Sequence, residues 1–127
     1  MALFFFVCLG GALGTAARYL LGVSVQGAFG PSFPVGTLSV NLIGSFLISM
    51  LMYLGVDKGV ISTNVRIVLC TGVMGGFTTY SSFNFETMRL WQQGSLLLGF
   101  LNIGITLVGC LVTGALGLLA GRLIGGT

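Results

Sequence analysis

Residues 19–56 read YLLGVSVQGAFGPSFPVGTLSVNLIGSFLISMLMYLGV, without one charged side chain. A second uncharged stretch, residues 90–121, reads LWQQGSLLLGFLNIGITLVGCLVTGALGLLAG. Outside these two runs the formal charges are Arg18, Asp57, Lys58, Arg66, Glu86, Arg89 and Arg122. The 127 residues are 55% hydrophobic and 6% charged with a mean hydropathy of +1.09, whereas a soluble domain is about a quarter charged. A water-exposed surface cannot be assembled from such a chain, so lipid is its solvent. A spanning helix takes about 20 apolar residues at a rise of about 1.5 Å each, which limits this length to four or five spans. One membrane domain over residues 1–127 is expected, with no soluble domain.

The basic residues sit singly and never cluster as a phosphate-binding surface requires, so nucleic acid is not an expected partner. Cys8, Cys70 and Cys110 lie in apolar runs, and the chain has no histidine; they read as small packing residues rather than as disulfide or metal partners. The N-terminal apolar run has no basic leader and no small-residue cleavage pattern before Arg18, so a retained first span is expected.

Hydropathy and helix breakers place four transmembrane helices at residues 3–23, 36–56, 63–93 and 95–124. Loop 26–34 is rich in Gly and Pro, Asp57-Lys58-Gly59 turns the chain between the second and third spans, and both termini fall on one side. The third span is the irregular one. Gly72, Gly75 and Gly76 precede Thr78, Thr79, Ser81 and Ser82 where the bilayer midplane should fall. A break there leaves half-helices at 66–75 and 83–93. Non-helical backbone at membrane depth is tolerated only against protein or a cavity, and broken helices of this kind build ion sites.

In a four-span arrangement Lys58, Arg66 and Arg122 lie on one side and Arg18 and Arg89 on the other. So even a distribution sets no strong orientation, and two oppositely inserted copies can pair about a two-fold axis in the membrane. Gly10 with Gly14, and Gly117 with Gly121, offer small-residue faces for such pairing. Among 22 glycines this spacing also arises by chance.

On the second helix Thr37, Asn41, Ser45 and Ser49 recur every four residues and share one face. The fourth helix repeats the pattern with Asn102, Thr106 and Cys110, followed by Gly114. Two readings stay open, interhelical hydrogen bonding and a line of neutral donors that replaces water around a passing ion without trapping it. Glu86, which can pair with Arg89 or Arg18, reads as structural, and the lack of an acid on either stripe argues against a cation path. Around the break stand Phe77, Tyr80, Phe83 and Phe85. Ring edges carry the positive part of the quadrupole, so Tyr80 and Phe83, three apart, are candidates for contact with an anion.

The string Gly75-Gly76-Phe77-Thr78-Thr79-Tyr80-Ser81-Ser82-Phe83-Asn84-Phe85-Glu86, with Gly36-Thr37-Leu38-Ser39-Val40-Asn41-Leu42-Ile43-Gly44 and the Gly-Gly-x-x-Gly-x-x-x-Arg run at 10–18, resembles the Fluc/CrcB fluoride channel family. The resemblance covers essentially the whole chain. It implies an all-α, antiparallel, dual-topology homodimer in a bacterial cytoplasmic membrane, conducting fluoride passively through two pores and holding a central structural sodium ion. No catalysis is implied. By motif match Asn41 donates to fluoride, and Tyr80 and Phe83 take the aromatic positions with Ser81 and Ser82 between them; Thr106 and Cys110 on the fourth-helix track, with Thr37 on the second-helix stripe, complete the expected ion path. Gly75 and Thr78 supply backbone carbonyls to sodium. Tyr80 stands where the family usually has Phe, and Cys110 where a hydroxyl residue is common. The competing function is a small dual-topology multidrug or organic-cation exporter, which requires an acid early in the chain; the first helix has none.

Overall fold

Helix α1 (Ala2–Phe29) runs well past the expected end at residue 23. Nothing between Val23 and Phe29 breaks it, and the helix stops only at Gly30, whose φ of 83° is open to glycine at no steric cost. Gln26 shapes the loop beyond it. Its Nε2 donates to the carbonyls of Gly30 at 2.6 Å and Phe33 at 2.9 Å, while the Gly36 N–H donates to its Oε1 at 3.0 Å. One side chain thereby joins the end of α1 to the start of α2 (Val35–Met52). The computed structural model describes residues 1–126 of the chain.

Helix α2 widens into a π-helical turn over Tyr53–Asp57, where the Lys58 N–H reaches the Tyr53 carbonyl at 3.1 Å. After the turn at Gly59 the third segment is built in pieces: α3 (Thr63–Ile67), a π-helical stretch Val68–Met74, the short α4 (Gly75–Phe77) and α5 (Tyr80–Gln92). Gly94, at φ 83°, turns the chain into α6 (Leu96–Gly125). No strand occurs among the described residues. Three segments, Ala2–Phe29, Val35–Asp57 and Leu96–Gly125, are each long and apolar enough to cross a bilayer alone. The crossing between them is the broken one, so four helical passages are present and only three are continuous. The break is also shorter than expected. Residues 76 and 77 are still helical, and Tyr80, Ser81 and Ser82 already belong to α5.

Glycines set how closely these passages approach. A Cβ on Gly14 would strike the Val73 carbonyl, and one on Gly76 would strike the carbonyl of Gly11, so α1 lies directly against the proximal half of the broken segment. Gly117 meets the Phe46 carbonyl, and Gly121 meets Tyr53, which seats α6 on α2. The small-residue faces expected to join two copies are thus used within one chain. Around them the small core of Val40, Met74 and Phe77 is lined by Leu21, Leu47, Ile48, Leu51 and Val73. Phe4, Leu13, Leu97, Leu107, Leu111 and Leu123 are exposed instead. That is the distribution of a chain whose solvent is hydrocarbon.

Gly117→Ala should lower stability by about 1–3 kcal/mol, because the methyl meets backbone that cannot step aside. Gly104, with open space around its Cα, should tolerate alanine and gain up to about 1 kcal/mol of helix propensity. Thermal unfolding of the two detergent-solubilised variants, followed by loss of the monodisperse gel-filtration peak, makes the comparison; equal shifts would contradict the packing described.

Candidate functional site

At Thr78 (φ −88°, ψ 158°) and Thr79 (φ −151°, ψ 114°) the backbone leaves the helix and becomes extended. In hydrocarbon the freed N–H and C=O groups each need a partner. Asn41 supplies two of them. Its Oδ1 accepts from the Thr79 N–H at 2.9 Å and its Nδ2 donates to the Thr79 carbonyl at 3.0 Å. The amide oxygen and nitrogen are thereby assigned by the network. Thr79 also caps α5, its Oγ1 accepting from the Ser82 N–H at 3.2 Å. Arg18 Nε donates to the Gly76 carbonyl at 2.9 Å, and the Thr78 hydroxyl and N–H both turn back to the Met74 carbonyl. Gly44 permits this approach, since a Cβ there would collide with the Thr78 side chain.

Two of the carbonyls here lose the donors that a continuous helix would give them. In a continuous helix Gly75 O would accept from the Thr79 N–H and Thr78 O from the Ser82 N–H. Here those donors go to Asn41 and to the Thr79 hydroxyl.

The expected site residues divide between two neighbouring cavities. Asn41, Tyr80, Phe83, Thr106 and Cys110 line the first, of about 550 Å³, together with Ser45, Thr78 and Thr79. Tyr80 and Phe83 pack edge to face, with centroids 5.6 Å apart and planes at 64°. Thr37, Ser81 and Ser82 do not join that group. They line the second cavity, of about 500 Å³, with Phe85 and Glu86. An adjoining space of about 240 Å³ reaches Arg18, Gln26, Thr79, Ser82 and Glu86. Thr79 borders the first cavity and this adjoining space, so it stands between the aromatic side and the charged side.

Several assignments differ from the sequence reading. Glu86 has Arg89 and Arg18 as possible partners in the sequence, yet its Oε1 is buried without a hydrogen-bond partner. Arg89 instead lies over the Phe85 ring, 5.9 Å from the centroid, and Arg18 is engaged with Gly76. Asn102 was placed on the polar stripe with Thr106, but it is 2% exposed and faces α5, donating from Nδ2 to Thr87 Oγ1 at 2.9 Å. Phe85 lies outside the aromatic cavity and lines the second one. Sequence reasoning missed Thr79 as the clamped residue and Arg18 as a backbone cap. The available signal was an arginine at the edge of an uncharged run, which needs an acceptor, beside a glycine-rich break that supplies spare carbonyls.

The profile of the family described as CrcB-like protein, Camphor Resistance (CrcB) matches residues 5–118. The chain is 52% identical over 127 residues to the fluoride-specific ion channel FluC of Sorangium cellulosum, covering 99% of this chain and all of that one. It is 51% identical over 112 residues to the FluC of Anaeromyxobacter sp. strain K (88% and 89% covered) and 44% identical over 117 residues to that of Geobacter sp. strain M21 (92% and 94%). These relatives are channels and not enzymes. With a profile match over most of its length and relatives of this identity, the chain is a multi-pass membrane protein of the CrcB family.

Proposed function

We propose that this chain conducts fluoride passively across a bacterial cytoplasmic membrane, as an antiparallel, dual-topology homodimer with two pores. One observation carries the reading. Asn41, the Tyr80 and Phe83 rings and the Thr106 hydroxyl converge on one cavity beside a broken helix, and none of them bears a formal charge. A dehydrating anion there meets amide and hydroxyl donors and ring edges in place of water, without a fixed cation to hold it. The names of the relatives point the same way. Cation export is disfavoured because α1 has no acid and the aromatic cavity is lined by none. Ser81, Ser82 and Thr37 extend the path into the neighbouring cavity, past Glu86.

The dimer and its central sodium rest on other support. Basic residues are nearly balanced across the two sides, as dual insertion requires. The donors that would cap the Gly75 and Thr78 carbonyls in a continuous helix are used elsewhere. A hard cation favours neutral oxygens of this kind. No group of three or more His, Cys, Asp or Glu occurs among the described residues to offer a different metal site. When bound, sodium would supply a positive charge that satisfies these carbonyls in both subunits.

Fluoride efflux from proteoliposomes, with chloride as the control ion, tests the function directly; an absence of fluoride flux, or equal chloride flux, would overturn it. Single-cysteine labelling in a Cys-free background should find each loop on both sides of the membrane, and labelling from one side only would exclude dual topology. Asn41→Asp should abolish fluoride flux. The carboxylate keeps the acceptor for the Thr79 N–H, loses the donor to the Thr79 carbonyl, and places an anion on the path in low dielectric. Normal conduction by that variant would reduce Asn41 to a staple.

A matched pair tests the rings. Phe83→Ile should reduce throughput far more than Phe85→Ile, since only Phe83 shares the cavity with Asn41 and Tyr80. Each swap keeps most of the apolar bulk, with a packing cost typically below about 1.5 kcal/mol. Equal efflux traces from the two variants would make the rings packing elements.

A further inference from the structure

Between α5 and α6 runs a chain of three side-chain hydrogen bonds whose two end residues, Phe83 and Thr106, line the aromatic cavity. The Thr87 hydroxyl donates to the Phe83 carbonyl at 2.9 Å, Asn102 Nδ2 donates to Thr87 Oγ1 at 2.9 Å, and the Thr106 hydroxyl donates to Asn102 Oδ1 at 3.4 Å. Thr87 and Asn102 are 3% and 2% exposed, and neither lines the cavity. Thr106 does.

The order of protons along this chain is determined at its Phe83 end, where the acceptor is a backbone carbonyl. A carbonyl only accepts, so Thr87 must give its single proton to Phe83. Its oxygen then accepts, which turns the Asn102 NH₂ toward Thr87 and the Asn102 carbonyl oxygen toward Thr106. That oxygen also only accepts, so Thr106 gives up its proton to Asn102 and turns lone pairs to the cavity. A lone pair repels an anion. The last bond is also the longest of the three, near the limit for an O–H···O contact.

The geometry points to Asn102 as a positioning residue that holds the Thr106 hydroxyl proton in reserve and releases it to an anion in the cavity. With the cavity free of anions, Thr106 donates to Asn102. An arriving anion draws the hydroxyl around by rotation about its C–O bond, and departure lets it swing back. No covalent bond changes. The same chain ties the Phe83 backbone to α6, so the ring position and the hydroxyl orientation share one scaffold. This inference rests on the channel reading for its consequence, but the proton order stands on the hydrogen bonds alone.

Thr87→Val removes the element that determines the order while keeping side-chain shape. The Asn102 amide is then free to flip and donate to Thr106 Oγ1, because an orphaned buried carbonyl is better tolerated than an orphaned NH₂. Thr106 would present its proton to the cavity permanently. The half-saturating fluoride concentration should fall by about threefold, the effect of no longer breaking one weak hydrogen bond first. Thr87→Ser, which restores the hydroxyl, should behave as the unmodified protein. In a Thr106→Val background Thr87→Val should have no further effect. An unchanged or raised half-saturation, failure of serine to rescue, or persistence of the shift without Thr106 would each overturn the assignment.

A spectroscopic readout keeps the two readings separable. In protein labelled with ¹⁵N-asparagine, the Asn102 side-chain amide resonance should move on Thr106→Val, and in the unmodified protein it should move on fluoride addition but not on chloride addition. If the unmodified protein conducts no fluoride, the channel reading fails while the Thr106→Val shift still reports the hydrogen bond. An unmoved Asn102 resonance in Thr106→Val would sink the proton order even in a working channel.

Discussion

A two-bond staple between the Asn41 amide and the backbone of Thr79 makes the helix break possible, and the cavities on either side exist because of it. An extended residue at membrane depth leaves N–H and C=O groups without helical partners, and each unpaired group in an apolar medium costs several kcal/mol. A net hydrogen bond contributes only about 0.5–1.5 kcal/mol. The penalty for an open group is therefore larger than the gain from closing it, and Asn41, Arg18 and the Thr79 hydroxyl close four of the groups that the break frees. Asn is suited to the task, since one planar side chain offers a donor and an acceptor at the spacing of a peptide group. Serine or threonine at position 41 has no comparable pair to offer.

Close approach comes first, however. The staple forms only if α2 passes beside the extended pair, and it does so because Gly44 leaves room for the Thr78 side chain. Gly14 and Gly76 likewise bring α1 against the proximal half, close enough for Arg18 to reach the Gly76 carbonyl. Association within a bilayer gains little from apolar burial, because lipid is as apolar as the side chains. Small residues and polar bonds therefore carry the specificity that a large core supplies in water. The few buried hydrophobic residues agree: Val40, Met74 and Phe77 cluster next to the break and nowhere else extensively.

Much of this was legible in the sequence, for a physical reason. Charge-free runs of spanning length have only one solvent, and glycines followed by hydroxyl residues at mid-depth cannot stay helical without help. The four-residue spacing of Thr37, Asn41 and Ser45 placed them on one face of α2. Partners were not legible. Helical spacing reports a shared face but not which neighbour it meets, so the Gly10 and Gly14 face, expected between copies, lies against Val73 of the same chain. Asn102 and Thr106 share a face by the same arithmetic, yet one is buried against Thr87 and the other lines the cavity. Boundaries failed differently. Tyr80, Ser81 and Ser82 have modest helix propensity and read as part of the break, but the Thr79 cap allows α5 to begin at once.

The staple also bears on how an uncharged path favours an anion. A free amide side chain would have to orient itself around each arriving ion, with an entropic and reorganisation cost on every passage. Asn41 is already oriented. Its oxygen and one N–H are bound by Thr79, so on the proposed function the second N–H is directed by the fold before any ion arrives. Preorganised dipoles of this kind act on a charge without rearranging when it appears. The edge-to-face contact of Tyr80 with Phe83 restrains the rings in the same way. Thr106 is the mobile member, held by the longest bond of its chain. A cavity with fixed donors and one donor free to turn stabilises an anion without binding it tightly, as fast conduction requires.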